Sequence, residues 1–444
     1  MFGRLPRDSG ADWRQRLALA GTVVLLAGTG SLAAQTPRSA ITQLFTFGTC
    51  GQPLCLDLLP DTVTGVNHGT HFINATRTSG GTVISFLTSA IAISVSSTPI
   101  SSSSGGTTFQ FQGGVPVKTS TSAGPIFGER AQTLGRGRWF VGLGFSEVSY
   151  RRLRGVPLGG IVFNFTHEDR PPLDSIGNPA FERDFIQMKL DLDVSLLVAA
   201  FTATYGLTDR IDLGVTLPFV RTSVAGRSTA EIFLVGSDTL HRFGGTGANP
   251  VLTASSSAAG VASGLGDVEG HLKITLLHGE HIGVALVGSG RFATGDEGNL
   301  LGAGSSSGRG LGVISARLGS FNPHGYIGYT VRSGASQTNS VEANLGFDNL
   351  IATWATMALD VLGSWQVGAS PITLPAPIQY DTPFPYTLDV TNIPARRDNF
   401  MNLSMGFKFR TKRGIQIVTN ALVPLSDAGL QPGVMWTGGV EYNF

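Results

Sequence analysis

Charge is scarce in this chain. Asp, Glu, Lys and Arg make up 14% of its 444 residues, and 31 basic residues nearly cancel 30 acidic ones. A formal net charge of +1 offers no electrostatic footprint for nucleic acid or for a strongly charged partner. Long hydrophobic runs are missing as well. Past residue 34 no stretch of 18 uninterrupted apolar residues occurs, which excludes an ordinary helical membrane protein. Helix-favouring Lys, Glu and Gln are few. There are only two cysteines, Cys50 and Cys55, and their closeness reads as a small disulfide loop in an exported chain. Metal ligation is the alternative, but no His or Cys pair lies at a matching spacing. What is abundant is glycine, at 60 residues, together with Ser, Thr, Val and Phe, a composition suited to strands and turns.

Both ends read as export signals. Arg4, Arg7, Arg14 and Arg16 form a basic start, residues 17–27 an apolar stretch, and Ser31, Leu32, Ala33 and Ala34 a cleavage-type junction. Residues 1–34 therefore read as a secretory signal peptide, with a mature start near Ala34 or Gln35. A retained N-terminal helix is the alternative. No Cys at the junction argues against a lipoprotein anchor. At the other end Phe444, Tyr442, Val440, Gly438, Trp436 and Val434 alternate with Asn443, Glu441, Gly439, Thr437 and Met435. This segment resembles the C-terminal sorting signal of bacterial outer-membrane proteins, with Thr437, Gly439, Tyr442 and Phe444 in its places, and the resemblance implies delivery to the barrel-assembly machinery.

Between the ends, period-two alternation recurs. In 186–198 the apolar face is Ile186, Met188, Leu190, Leu192, Val194, Leu196 and Val198, against Gln187, Lys189, Asp191, Asp193 and Ser195. Only a strand separates these sets completely. Twelve such segments are expected near 138–152, 186–205, 209–224, 267–278, 281–293, 310–319, 323–333, 338–348, 353–367, 399–411, 414–424 and 433–444. Short turns, at 206–209, 278–280, 321–323, 348–350 and 411–413, alternate with long connections. The predicted fold is all-β: a transmembrane antiparallel up-and-down barrel of about 12 strands (12–14) spanning 138–444, in the bacterial outer membrane and in contact with its lipid. A soluble sandwich or propeller is the competing reading. Residues 35–137 are expected to form an N-terminal plug or periplasmic extension. Alternatively, 83–95 and 107–112 add a hairpin and make fourteen strands.

If the polar faces point inward, the candidate lumen-lining residues are Lys189, Asp191, Asp193, Glu269, His271, Lys273, Arg291, Arg317, Arg332, Glu342, Asp360, Lys408, Arg410 and Glu441. They form either a polar permeation path or neutralising pairs that pack the interior. No His-Glu-x-x-His motif occurs. Glu269, His271 and Ser289 or Thr275 make a nucleophile arrangement only if the fold is assumed in detail. No catalytic residue, cofactor or metal ligand is assigned. Asp267, Asp296 and Glu297 match no EF-hand spacing.

Several motifs carry a family resemblance. They are 124–130 with 133–137, Tyr205-Gly206-Leu207-Thr208-Asp209-Arg210-Ile211-Asp212-Leu213-Gly214, Gly264-Leu265-Gly266-Asp267-Val268, and Ala293-Thr294-Gly295-Asp296-Glu297. Together they resemble the outer-membrane transporter family associated with the meta-cleavage pathway of phenol degradation, from about Gly124 to the end. More distantly the plan is similar to channels of the long-chain fatty-acid transporter type. The motifs are turn and rim features that name no substrate; the expected function is a non-enzymatic channel passing small, hydrophobic or aromatic solutes without an energy source of its own. The other reading is a structural or adhesive barrel acting through long loops near 153–185, 225–266 and 368–398, the last rich in proline.

Overall fold

Twelve alternating segments close into one antiparallel ring in the computed structural model. It describes residues 35–47, parts of 81–92 and 109–118, and 122–444 with breaks at 166–183, 235–241, 335–336 and within 371–385. The ring strands are β1 (Trp139–Leu153), β2 (Phe185–Gly206), β3 (Ile211–Phe233), β4 (Glu269–His278), β5 (Ile282–Arg291) and β6 (Ser307–Ala316). They continue with β7 (Phe321–Arg332), β8 (Ser340–Ala352), β9 (Ala355–Gln366), β10 (Phe400–Arg410), β11 (Gln416–Pro424) and β12 (Met435–Asn443). Each pairs with its chain neighbour, and β12 returns to β1 in register from Trp436↔Glu147 to Asn443↔Phe140. Closure satisfies every strand edge inside the hydrocarbon, which an open sheet does not. The last residue seals the join: Phe444 N–H donates to Trp139 O at 3.0 Å, and Trp139 N–H to Phe444 O at 2.9 Å. The signal-peptide and Cys50–Cys55 expectations lie outside the described residues.

Side-chain direction shows what surrounds the ring. Leu213, Val215, Leu217 and Phe219 stand bare on the outside of β3, and Leu345 on β8 is 73% exposed. Asp212, Thr216, Lys273, Asp348, Asp360 and Lys408 are buried inside. Apolar outside and polar inside is the inverse of a soluble protein. Lipid covers such a belt, and the barrel belongs in the bacterial outer membrane.

The belt ends abruptly on the tall side. β2 and β3 contain 22 and 23 residues, about twice what a tilted crossing needs. Outside β3 the run Leu213, Val215, Leu217, Phe219 gives way to Arg221, Ser223, Arg227 and Glu231. Outside β1 it changes between Phe145 and Glu147, and outside β2 between Leu197 and Ser195. The inner face changes in the opposite sense, from Thr202 and Thr204 to Val194, Leu192, Leu190, Met188 and Ile186. Above the lipid the wall therefore follows the soluble rule. This corrects three lumen assignments: Lys189, Asp191 and Asp193 are exposed on the outer face, because at that height water lies outside and an apolar core inside.

That core is filled from the N-terminal side. Helix α1 (Pro37–Gln43) starts at Thr36, whose hydroxyl accepts from Ser39 N–H at 3.1 Å. It lies against β3 and a ribbon, Thr253–Leu265, that prolongs the wall above β4. Leu44 and Phe45 are fully buried, and Phe45 packs on Phe163 at 5.9 Å between ring centres. Residues 109–112 and 115–118 form a separate two-stranded sheet that does not join the ring.

Two turns sit elsewhere than the sequence suggests. Residues 321–323 begin β7 and 348–350 lie within β8; the chain reverses at 317–320 and 353–354 instead. Asn322 and Asp348 look like turn formers, yet they pair in register across β7 and β8 and point inward. Their polarity serves the lumen, not a turn.

Candidate functional site

Among the described residues, the lumen holds a crossing segment at one end and a cavity beyond it. At the end of the short turns, residues 122–137 cross inside the ring. Glu129 meets Lys273 at 2.7 Å, with both side chains nearly fully buried. Arg130 binds the Asp348 carboxylate, with its Nε 3.1 Å from Oδ1 and its Nη2 also on Oδ2. Ser122 and Asn322 join the same carboxylate. Thr275 donates to Ala131 O at 2.6 Å, and Leu134 N–H donates to Asp212 at 2.9 Å. His324 lies beside Asp360, with 2.8 Å between Nε2 and Oδ1. Gly128 passes so close to both that a Cβ there would overlap them. A glycine is required by this approach, not by a turn.

Above this inner segment lies a cavity of about 320 Å³. Phe127 and Glu129 contribute its floor. One wall is mainly apolar: Val148 and Tyr150 from β1, Leu362 from β9, Phe400 from β10, Leu422 from β11 and Met435 from β12. The opposite wall is a ladder of charges on β4 to β8. Arg291 and Arg309 reach Glu269 at 3.3 and 3.5 Å, and Arg309 and Arg332 reach Glu342 at 3.8 and 3.9 Å. Thr330 also donates to Glu342, at 2.5 Å. The register explains the ladder. Glu269 pairs with Arg291, Ser289 with Arg309 and Ser307 with Arg332, so inward positions of successive strands fall side by side.

The sequence candidates therefore scatter over several environments. Glu269, Arg291, Arg332 and Glu342 come together in the ladder, and His271 lines the same cavity, 3.2 Å from the Thr204 hydroxyl. Lys273 and Asp360 are tied to the inner segment and to His324. Lys408 and Glu441 form a buried pair at 2.9 Å. Arg410 ends β10 at the turn end. Arg317 is corrected: it sits in the turn after β6 and donates to Gly279 O at 2.6 Å, bracing two turns rather than lining the wall. Ser289 accepts from Arg309, and Glu269 is shared by two arginines, so these groups are engaged in the ladder. Asp267 accepts backbone N–H groups of Gly295 and Ala303 at 3.0 and 2.8 Å, shaping the 295–303 loop. Glu129, Arg130, Arg309, His324 and Asp348 were missed. Arg309 lies between Gly308 and Gly310, where glycine hides the alternation, and Glu129 and Arg130 belong to no periodic element.

The Lys408–Glu441 pair yields a direct expectation. Lys408→Met leaves Glu441 buried without its cation, at a cost of about 3–5 kcal/mol. The temperature at which the barrel loses its folded gel mobility should drop clearly. Adding Glu441→Met should recover most of the loss.

No family model matches the chain, and no curated protein matches it. Solved structures do. An outer membrane channel from Pseudomonas putida F1 aligns at 12% identity with a TM-score of 0.38, covering 71% of this chain and 98% of that one. A Pseudomonas aeruginosa FadL homologue aligns at 9% identity and 0.28, covering 69% and 88%. The CymD monoaromatic hydrocarbon channel aligns at 9% and 0.31, covering 70% and 88%.

Proposed function

We propose that this protein is a passive outer-membrane channel for small solutes with an apolar or aromatic body, without an energy source of its own. The observation that carries the reading is the two-sided cavity of about 320 Å³, greasy on one wall and charged on the other, within a closed barrel. A volume of that order fits a small organic molecule. Residues 122–137 stand across the turn end, so passage requires them to shift. The membership suggested by the motifs at 124–137 and 205–214, in the transporter family of phenol meta-cleavage, belongs to the same proposal. The test is uptake of a labelled neutral aromatic such as benzamide by cells lacking their own porins, with and without this protein. Expression should raise initial uptake several-fold. Equal uptake in both strains sinks the reading and leaves the loop-mediated structural or adhesive role.

A further inference from the structure

The ladder does not balance. Other buried cations among the described residues meet a carboxylate: Lys273 meets Glu129, Arg130 meets Asp348, Lys408 meets Glu441 and Arg154 meets Asp398. Among the described residues, the ion pairs of Arg291, Arg309 and Arg332 run to Glu269 and Glu342, while the other two carboxylates on the cavity, Glu129 and Asp398, are paired with Lys273 and Arg154. Arg309 stands in the middle and reaches both, but at 3.5 and 3.8 Å, beyond good hydrogen-bond length. Its Nε is spent on Ser289 at 3.2 Å. All three arginines line the cavity, with side-chain exposures of 24%, 33% and 21%, although Arg332 Nη1 is held by Thr338 O and Ser340 Oγ at 2.9 and 2.8 Å. A planar fork with donors turned to a cavity matches a carboxylate bidentately.

We propose that this ladder is a binding site for the carboxylate of a small aromatic acid, seated with its ring on the facing apolar wall. The inference rests on the channel reading for its role in transport and specifies the solute class. Charge supplies the first argument: one monoanion brings three cations and two anions to neutrality. Shape supplies the second. Tyr150 and Phe400 on the opposite wall and Tyr326 beside Arg309 offer ring faces and edges around the same cavity. Low dielectric inside the barrel strengthens the ion contact relative to water. A neutral aromatic gains only the wall, and an ammonium faces a net positive ladder.

Calorimetry on the purified full-length protein at pH 8 separates the possibilities, with benzoate, benzamide and benzylamine as probes. Benzoate should bind at least tenfold more tightly than benzamide, and benzylamine more weakly than either. Arg309→Gln should remove the benzoate preference. Glu342→Gln removes one competing carboxylate and should tighten benzoate binding severalfold, a gain that misfolding does not produce. Equal affinities for benzoate and benzamide, or no gain in Glu342→Gln, overturn the inference. Benzamide uptake by cells is read independently. Its loss defeats the channel reading, whereas its presence without a benzoate preference defeats only this site.

Discussion

Asp348→Ala is expected to destabilise the barrel by about 3–5 kcal/mol, because it strips a buried arginine of its carboxylate partner. Asp348 is fully buried and Arg130 nearly so. Around that carboxylate gather the Arg130 guanidinium, the Ser122 hydroxyl, the Asn322 amide at 3.1 Å and the His324 ring at 3.6 Å. Each loses a partner at once, and none gains water without moving the inner segment. The measurement is heat modifiability on gels together with planar-bilayer conductance. The melting transition should fall, and open-state conductance should rise as residues 122–137 loosen. Asp348→Ala with Arg130→Met should regain stability, since no bare charge remains. An unchanged transition in the single variant would show that the ion pair does not hold the segment.

The second large effect concerns the exchange of faces. Leu345→Arg places a charge on the lipid side of β8 and should cost about 2–4 kcal/mol if it lies near the bilayer midplane. Asp193→Leu and Asp191→Leu, on the outer face of β2 above the lipid, should change stability by less than about 0.5 kcal/mol. Leu192→Asp, one residue away, points into the apolar core and should be costly. Chemical unfolding from detergent or lipid, read by tryptophan fluorescence, compares all four. If Leu192→Asp were tolerated and Asp193→Leu were not, the faces of β2 would be the other way round.

The ring itself was legible in the sequence, since period-two alternation marks strands wherever one face meets lipid. Alternation separates two faces without saying which is inside. For 186–195 the answer depends on height above the membrane, and no local pattern encodes height. The length of that segment was the available clue, because 22 residues exceed one crossing. Charge ladders were half legible. Glu269, Arg291, Arg332 and Glu342 stood out, but Arg309 sits among glycines and its partners become neighbours only through strand register. The inner segment was located as a pre-barrel region, whereas its contacts with Asp348 and Lys273 join residues more than 140 positions apart.

Solute passage through the lumen, past a segment that must shift, is tested most directly by pinning that segment. A Cβ built at Gly283 on β5 stands 3.1 Å from the Ala131 Cβ, so a shift of a few tenths of an ångström brings the pair to the roughly 3.5–4.5 Å that a disulfide spans. The Ala131→Cys, Gly283→Cys protein, with Cys50 and Cys55 replaced by serine, should show aromatic uptake at background when oxidised. Reduction should restore it to the level of the uncrosslinked protein. Equal uptake in the oxidised and reduced forms would contradict passage through this lumen.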